Sequence, residues 1–425
     1  MEGKVVMIQE ELRRARVLEH VVNGRTTLRE AAVALDVSYR QVRRLKKRYL
    51  ELGPAGLVHR NRGRPVQHAL SSDLVRKIID LHESVYPDFN DCHFAEMLRS
   101  REGITISRES VRRILRSAGK PPKRKRRSPR HHARRPRKPV RGMMVQWDGS
   151  PHHWFGADNP PCCLHAAIDD ADSRLLAALF VPNECAIGYL RLLDMMLRRH
   201  GVPVSVYQDR HTIHVRSDSC WSIEEEIAGV RFPTHLGRVL KELGIEPIPA
   251  YSPQAKGRVE RSFGVLQDRL IAELRLEGIT DIDEANTWLE TTYITRHNRR
   301  FATSPEKDGS AFRKISQRDR YRFVAFGYTA TVANDNCVRL GGLEIDVPPG
   351  KNRRSFARAQ VLVRQHLDGA WTVTHHGKQL ATHPPTELRE PWRSWKPRCK
   401  GDPRGARYLT QVYLSSRPAP LPEGT

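Results

Sequence analysis

Residues 145–150 read VQWDGS and residues 204–209 read VSVYQD. Both runs are rich in residues that favour strands, and each has an aspartate at or near its end, Asp148 in the first and Asp209 in the second. We interpret both runs as strands that finish at a turn. If the two strands belong to one sheet, their terminal carboxylates can converge on one point.

The segments around these two runs complete an α/β pattern. Apolar runs at 164–168 and 175–181 predict two more strands, and the polar stretch 169–174 between them has the composition of a hairpin connection. Helical periodicity is present in three segments, namely 186–200, 234–243 and 256–276. Three β runs, a helix, a strand and further helices predict an α/β layer fold for residues 142–300.

A glutamate adds a third carboxylate to this region. Glu260 lies one turn after the start of the last predicted helix. Three carboxylates supply the hard oxygen ligands that two Mg²⁺ ions about 3.5–4 Å apart require for phosphoryl transfer. We therefore expect Asp148, Asp209 and Glu260 to be both catalytic and metal-binding, with two Mg²⁺ or Mn²⁺ ions as cofactors.

The distribution of charge indicates a polyanionic partner. The 425 residues include 73 Lys and Arg against 48 Asp and Glu, a net charge of +25 that is unusual for a metabolic enzyme. Segments 1–119, 120–141 and 301–425 have net charges of +8, +12 and +10, whereas 142–300 has −5. An acidic middle between basic flanks fits metal-holding carboxylates beside domains that grip a nucleic acid, although a solvated acidic surface remains an alternative.

The first 65 residues predict a helix-turn-helix DNA-binding domain. Thr27 and Glu30 have capping-box spacing, and Ser38 opens a second helix that runs through about residue 49. This second helix places only basic side chains on its polar side, as a recognition helix does. The predicted DNA-binding residues there are Arg40, Arg43, Arg44 and Lys47. An αα-hairpin with a solvated basic face is the alternative.

A second helix-turn-helix domain is predicted over 66–119. The connector that precedes it, 53–65, is rich in turn residues and can follow a phosphate backbone through Arg60, Arg62 and Arg64. The domain's helices are predicted at 72–84, at 91–101 and after Ser107. The outward arginines of the last helix, expected to contact DNA, are Arg112, Arg113 and Arg116. Two such domains suggest a long, two-part DNA site.

The remaining segments are a linker, a small β domain and a tail. Residues 120–141 contain no acid, and this basic linker is expected to bind phosphates in an extended form, through Lys123, Arg124 and Lys125 among others. A nuclear-localisation signal is the alternative for this run. Short β-prone runs over 301–385 predict a small β-barrel of SH3-like type. Residues 386–425 are a basic, Pro-rich tail that we expect to be poorly ordered.

One further segment links these features to a known family. Residues 251–261 read YSPQAKGRVER, and together with 146–149 (QWDG) and 207–209 (YQD) they resemble the DDE transposases and integrases. The connector residues 56–65, GLVHRNRGRP, are similar to bacterial insertion-sequence transposases of the ISNCY group. The resemblance implies an RNase H-like, retroviral-integrase-type core. It also suggests contacts between DNA and three residues beside the glutamate, Lys256, Arg258 and Arg261.

The resemblance also implies an activity and partners. It indicates a transposase that binds the terminal inverted repeats of an insertion sequence and catalyses Mg²⁺-dependent strand cleavage and strand transfer. The expected partner is double-stranded DNA, both element ends and target, bound by a homodimer or higher multimer. Two other functions remain open: a catalytically silent helix-turn-helix regulator derived from a transposase, and a structure-selective nuclease.

Several residue assignments also have alternatives. Asp209 and Glu260 are 51 positions apart, a gap lengthened by the segment 216–233, so Asp218 competes with Asp209 for the second ligand position. The aspartates of the 169–174 hairpin are expected to cap it, with a role for Asp169 near the metals as the alternative. Two neighbouring loop histidines, His152 and His153, are weaker candidates for contacting DNA or metal.

The sequence predicts a protein of the bacterial cytoplasm, associated with the nucleoid. It contains no apolar run of about 18 residues, and its first residues lack the apolar region of a signal peptide. The seven cysteines include no CxxC pair, so we expect free thiols.

Overall fold

The computed structural model describes residues 7–59, 61, 70–124, 135–209, 211, 213–214, 227, 233–250 and 257–391. The chain divides into two compact units, residues 1–78 and 79–425. In the described ranges no helix is long and apolar enough to cross a membrane.

The first unit is built from three helices. They are α1 (Gln9–Val22), α2 (Leu28–Ala34) and α3 (Tyr39–Leu52), followed by a 3₁₀ turn at Gly53–Leu57. Their small core consists of Leu18, Val21, Ala31, Val42, Leu45 and Leu57. The sequence predicts no helix at the position of α1, whereas α2 and α3 confirm the two predicted helices.

Side-chain caps fix where α2 and α3 begin. The Thr27 hydroxyl accepts the backbone N–H of Glu30 (3.3 Å), and the Glu30 carboxylate accepts the N–H of Thr27 (2.8 Å). The Ser38 hydroxyl accepts the N–H of Gln41 (3.2 Å). Each cap satisfies a backbone donor that the first helical turn leaves unpaired. Local sequence therefore sets the turn between the two helices.

Three more helices precede the central sheet. They are α4 (Ser72–Ser84), α5 (Asp91–Ser100) and α6 (Arg108–Ser117). The boundary between the two units falls inside α4. Ser107 caps α6, and the inward side chains of α6, Val111, Ile114 and Leu115, are buried as the sequence predicts.

The centre of the second unit is a five-stranded mixed sheet. Its strands are β1 (Val145–His152), β2 (Cys162–Asp169), β3 (Leu175–Val181), β4 (Ser205–Gln208) and β5 (Glu246–Pro249), in the order β3-β2-β1-β4-β5. β1, β2 and β3 are antiparallel neighbours, whereas β4 is parallel to both β1 and β5. This arrangement fits the RNase H-like core that the resemblance implies.

Helices cover both faces of this sheet. They are α7 (Ala186–His200), α8 (His235–Glu242), α9 (Gly257–Glu277), α10 (Ile282–Trp288) and α11 (Ile294–Phe301), with a π-helical turn at Leu289–Tyr293. Alternate residues of β2 point to opposite faces, so Cys163 packs with α7 while Leu164 packs with α9. The predicted α/β layer fold is confirmed.

The C-terminal β domain differs from its prediction. Helix α12 (Gln317–Phe323) leads into β6 (Ala325–Thr331), β7 (Cys337–Leu340), β8 (Leu343–Asp346), β9 (Gln360–His366), β10 (Trp371–His375) and β11 (Lys378–His383). These form a four-stranded sheet, β11-β10-β9-β6, and a separate β7-β8 hairpin. The predicted β-barrel is wrong for the described residues, because the pairing does not close: β6 and β11 are the two edges of an open sheet.

An ion pair and a contact between a histidine and a carboxylate connect α5 to the long helix α9. Arg269 donates to the Glu96 carboxylate (2.7 Å), and the His93 ring lies 3.1 Å from the Glu273 carboxylate. His93, Arg269 and Glu273 are all buried. Removing one member of a buried pair leaves an uncompensated charge, which costs roughly 3–5 kcal/mol. The α5–α6 segment is thus an integral part of the second unit.

Candidate active site and DNA-binding surface

Asp148 and Asp209 lie at the same level on neighbouring strands. β1 and β4 are parallel, and Gln146 pairs with Tyr207. The same register, continued two residues along both strands, places Asp148 beside Asp209. The structure therefore brings two of the three predicted carboxylates to adjoining positions on two central strands of the sheet, where β4 ends.

The local setting of Asp148 differs from the sequence prediction. β1 does not end at Asp148 but continues to His152, because β2 pairs with it over its whole length and sets Ala166 opposite Asp148. The carboxylate accepts the backbone N–H of Gly149 at 3.2 Å. Asp209 does follow the last residue of its strand, and it accepts the N–H of His211 at 3.1 Å.

Tyr189 of α7 is a shared neighbour of both aspartates. Its hydroxyl donates to Glu184 at 2.8 Å, and its side chain is buried. Burial and the negative charges of Glu184, Asp148 and Asp209 raise the pKa of Tyr189 well above its usual value. Tyr189 therefore stays protonated and remains a hydrogen-bond donor beside the carboxylates.

Two histidine rings pack against the ring of Tyr189. His165 of β2 stacks on it with ring centroids 4.2 Å apart, and His214 meets it edge-on at 4.4 Å. His214 also lies 3.6 Å from the Asp209 carboxylate. Burial lowers the pKa of His165 to about 4, so this ring is neutral at physiological pH. The packed rings limit the positions that Tyr189 can adopt.

Glu184 is a residue of this site that sequence reasoning missed. A Cβ atom added to Gly149 would lie 2.9 Å from the Glu184 carboxyl carbon, so the glycine is what allows Glu184 to approach β1. Glu184 follows β3 in a stretch with no recognisable motif. Its position next to the Asp148 strand results from tertiary packing, which no local pattern signals.

Glu260 lies in the first turn of α9 and is exposed. Two turns further along the same helix face, Gln267 donates to the hydroxyl of Ser150 on β1 at 3.2 Å. This face of α9 is therefore the one that meets β1. The role of Glu260 as third metal ligand stays a prediction, since the described side chains include no group of three His, Cys, Asp or Glu placed to hold a metal ion.

The donor set fits a hard divalent cation. Asp148 and Asp209 offer carboxylate oxygens, the ligands that Mg²⁺ prefers over nitrogen or sulfur. Neither side chain is buried. Cys162 and Cys163, at the start of β2, are buried thiols. Burial raises the pKa of Cys162 to about 11 and that of Cys163 to about 12. They are not thiolate ligands at neutral pH.

Some predicted site residues lie outside the described residues. Asp218 is one of them, so the choice between Asp218 and Asp209 is untested. The others are Arg60, Arg62, Arg64, Lys125 and Lys256.

The hairpin aspartates are buried and fully engaged. Asp169 accepts the backbone N–H groups of Gly142 and Ala171, each at 2.8 Å. Asp172 pairs with Arg141 (3.0 Å) and Arg174 (3.1 Å). These contacts match the hairpin-capping interpretation. Among the contacts that the structure describes, Asp169 has two backbone partners and does not contact Asp148 or Asp209.

Asp170 joins three separate elements. One carboxylate oxygen accepts from Gln146 of β1 (2.6 Å), from Arg135 of the linker (2.5 Å) and from Arg258 of α9. Burial opposes its ionisation, but the hydrogen bond from Arg135 and the nearby arginines hold the pKa of Asp170 below its usual value. The end of the basic linker therefore lies on the core, and Arg258 contacts Asp170 although we predicted a DNA contact.

Helix α3 presents the basic face that the sequence predicts. Val42 and Leu45 are buried in the first unit. The four predicted DNA-binding side chains are all exposed, and they are Arg40, Arg43, Arg44 and Lys47. Lys47 also lies 3.8 Å from Glu51. This exposed basic face is compatible with phosphate and base contacts.

The predicted DNA-binding residues of α6 and the linker are less uniform. Arg113 is exposed, and Arg112 is exposed but pairs with Glu109 at 2.7 Å. Arg116 is only partly exposed and donates to Asp91 at 2.6 Å, so it joins α6 to α5. Lys123 and Arg124 lie near Asp268 of α9, at 3.1 Å and 3.8 Å. Arg261 of α9 is exposed.

Buried histidines, among them His93, His165 and His297, make the stability of the second unit depend on pH. Burial lowers the pKa of His165 and His297 to about 4, and it also lowers that of His93. In the unfolded chain a histidine has a pKa near 6.5. Between about pH 6.5 and 4 the unfolded chain thus binds protons that the folded chain does not, and the free energy of unfolding decreases as the pH falls.

We expect the free energy of unfolding to decrease by about 2–3 kcal/mol from pH 7 to pH 5. Asp169, whose pKa burial raises to about 6, opposes part of this loss because its folded carboxyl takes up a proton first. Urea unfolding at the two pH values measures the effect. The variant His297→Phe should show a smaller difference, since it removes one of the buried titrating groups. Equal stability at both pH values would contradict the assignment of neutral buried histidines.

Comparisons with known proteins first define the class of the N-terminal part. A family model described as a helix-turn-helix domain matches residues 13–65, and one described as a homeodomain-like domain matches residues 41–115. Together these matches span α1 to α6. The N-terminal helices are therefore of the helix-turn-helix class, as the capping pattern and the basic face of α3 predict.

Two curated relatives then define the family. A protein of Sinorhizobium fredii named "Putative transposase y4bF" is 38% identical over 76% of this chain and 69% of its own length. The transposase for insertion sequence IS1202 of Streptococcus pneumoniae is 32% identical over 88% of this chain and 87% of its own length. The chain belongs to the insertion-sequence transposases.

Solved structures with a distant likeness are retroviral integrases. The catalytic core domain of HTLV-2 integrase in complex with magnesium aligns with 35% of this chain and 86% of its own length, at 15% identity and a TM-score of 0.24. A likeness at that TM-score is too distant to say anything about this chain.

Proposed function

We propose that this transposase binds the terminal inverted repeats of its insertion sequence and catalyses Mg²⁺-dependent strand cleavage and strand transfer. One observation supports the chemistry above all: Asp148 and Asp209 adjoin on the parallel strands β1 and β4. Two adjoining carboxylates, in a member of this family, are suited to phosphoryl transfer with metal ions.

Asp148, Asp209 and Glu260 are the residues that would hold the ions. When bound, two divalent ions supply activation of the attacking oxygen and stabilisation of the leaving oxygen. The chain's own residues set the geometry: Gly149 donates its N–H to Asp148, and His211 donates its N–H to Asp209. These backbone donors limit the orientations that the two carboxylates can adopt.

The two steps differ in the nucleophile. In cleavage, water attacks a phosphodiester at the element end, and the bond to the 3′-oxygen breaks to leave a free 3′-hydroxyl. In strand transfer, that 3′-hydroxyl attacks a target phosphodiester, and a new bond replaces the broken one. Each step exchanges one P–O bond for another, so no covalent bond to the protein is needed.

DNA recognition is assigned to the helical parts of the chain. The exposed basic face of α3 is suited to the major groove, where arginine recognises guanine edges. Arg113 is one of the exposed arginines of α6, the second predicted recognition helix. Contacts to phosphates from the basic linker would add affinity without sequence preference.

Assembly of at least two protomers follows from the reaction itself. Inverted repeats come in pairs, and one active site acts on one strand at a time. A chain with a charge of +25 repels its copies, and DNA neutralises that charge. We therefore expect a dimer or higher multimer that forms, or becomes much tighter, on end DNA.

Mixing two inactive proteins tests this assembly. One is Glu260→Gln, and the other lacks residues 1–70, which include the whole basic face of α3. If a protomer bound to one end catalyses at the other end, the mixture recovers joining that neither protein shows alone. Analytical ultracentrifugation of the joined complex gives the protomer number, and a single protomer for each pair of ends would contradict the proposal.

The chemistry is tested by joining a labelled element end to plasmid DNA in the presence of Mg²⁺. The proposal predicts joined product with the wild-type protein and none with Asp148→Asn. A wild-type protein that binds the ends in a footprint but never joins them would instead match the silent regulator.

A further inference from the structure

Asp170 lies where three parts of the proposed active site meet. It is 1% exposed and lies on the connection that follows β2. Through Gln146 it contacts β1 two residues before Asp148. Through Arg258 it contacts the first turn of α9 two residues before Glu260.

The contact with α9 is reinforced by the linker. Arg258 donates through one nitrogen to Asp170 and through another to the backbone carbonyl of Arg135 at 2.6 Å. Arg135 in turn donates to Asp170 at 2.5 Å, and the N–H of Lys138 donates to its other oxygen at 2.8 Å. A buried carboxylate with charged donors on several sides fixes the groups around it, because displacing any of them leaves an uncompensated charge.

The rest of α9 is fixed by different contacts. Arg269 and Glu273, three and four turns after the helix start, pair with Glu96 and His93 of α5. Gln267 contacts β1 through Ser150. None of these holds the first turn, where Glu260 lies. Val259 of this turn packs in the apolar cluster with β2 and β3, and Asp170 adds a buried polar contact to the same turn through Arg258.

We propose that Asp170 is a positioning residue that fixes the first turn of α9 against β1 and so presents Glu260 to Asp148 and Asp209. The inference rests on the proposed function, since it gives Glu260 the role of a metal ligand. Arg258 serves this contact through its hydrogen bond to Asp170. Partners that orient metal ligands typically contribute roughly 10- to 100-fold to metal affinity or activity.

The test compares Asp170→Asn with a matched control in the full-length protein. Asp172→Asn removes an equally buried carboxylate from the same connection, but its partners are Arg141 and Arg174, which lie on neither α9 nor β1. Mn²⁺ binding is measured directly by electron paramagnetic resonance. Asp170→Asn should weaken Mn²⁺ binding roughly tenfold or more, whereas Asp172→Asn should change it less than about twofold.

A double-mutant cycle separates positioning from a general structural role. If Asp170 acts through Glu260, adding Asp170→Asn to Glu260→Gln should not weaken Mn²⁺ binding further. If Asp170→Asn fails to fold, Arg258→Gln provides the same test at a partly exposed side chain. It should weaken Mn²⁺ binding to the extent expected for Asp170→Asn. Additive losses in the cycle, or unchanged Mn²⁺ binding in both Asp170→Asn and Arg258→Gln, would overturn the inference.

Hydrogen exchange gives a readout that needs neither metal nor activity. The amides of the first turn of α9 should exchange faster in Asp170→Asn than in Asp172→Asn, while those near Arg269 stay equally protected in both. Equal protection of the first turn in the two variants would overturn the inference. If the wild-type protein joins no DNA and yet the exchange and Mn²⁺ results hold, the proposed function fails while the positioning role stands.

Discussion

Asp148→Asn, Asp209→Asn and Glu260→Gln should each reduce DNA cleavage and joining by roughly three orders of magnitude or more, while binding to element ends persists. An amide is a poor Mg²⁺ ligand, so each change removes a metal ligand. Because the amide has nearly the same volume as the carboxylate it replaces, the fold should stay the same. Binding persists because the basic face of α3 lies in a different compact unit from these carboxylates. Joining of labelled ends and electrophoretic mobility shift measure the two properties.

Two variants serve as controls for this prediction. Asp158→Asn changes an exposed aspartate in the connection between β1 and β2, and it should leave joining unchanged. Asp218→Asn tests the competing second ligand. An inactive Asp218→Asn together with an active Asp209→Asn would reassign that position, and loss of end binding in the three active-site variants would show that their roles are misassigned.

Removing residues 1–70 should reduce preferential binding to element ends by roughly 100-fold or more and shorten the footprint to the part of the end that α6 contacts, while weak, salt-sensitive binding to any DNA remains. The cut removes α1, α2 and α3 and keeps α4 whole. A longer cut through residue 119 would also delete α5 and so expose Arg269 and Glu273, which are buried against it. The shorter deletion therefore tests recognition without destabilising the core.

A point variant refines this prediction. Arg44→Ala removes one exposed arginine of α3 and should weaken end binding about tenfold, with relaxed preference at particular base pairs. Footprinting and competition with random DNA give both quantities. If the protein without residues 1–70 still protects the same end sequence, the assignment of recognition to α3 is wrong.

The elements that sequence could predict are those defined by local signals. α7 and β3 have the predicted bounds because apolar periodicity marks each of them. Thr27 and Ser38 mark the starts of α2 and α3 by side-chain hydrogen bonds to residues three positions away. Such signals depend on neighbours in the chain and are readable without a structure.

The features that sequence missed depend on distant neighbours. β1 continues beyond Asp148 because β2 pairs with it, and β5 is a short strand whose position depends on β4. The C-terminal strands were predictable one by one, but whether they close into a barrel depends on how β6 and β11 are placed. Strand composition does not report pairing partners.

The site shows the same division. Asp148 and Asp209 could be proposed from strand composition, and Glu260 from a motif. Glu184 and Asp170 could not, since Asp170 meets Arg258 across 88 positions in the chain. Arg258 stays a predicted DNA contact on the basis of the family resemblance. Its buried acceptor is apparent only once the fold is known.

Mg²⁺-dependent joining by the purified protein decides whether these carboxylates make the chain a DNA-joining enzyme. Purified full-length protein is incubated with a labelled end of its own element and supercoiled plasmid, with Mg²⁺ and with EDTA. The account predicts covalently joined product with Mg²⁺, none with EDTA and none with Asp148→Asn. Joining that persists in EDTA or in Asp148→Asn, or no joining by a wild-type protein that binds the end, would contradict it.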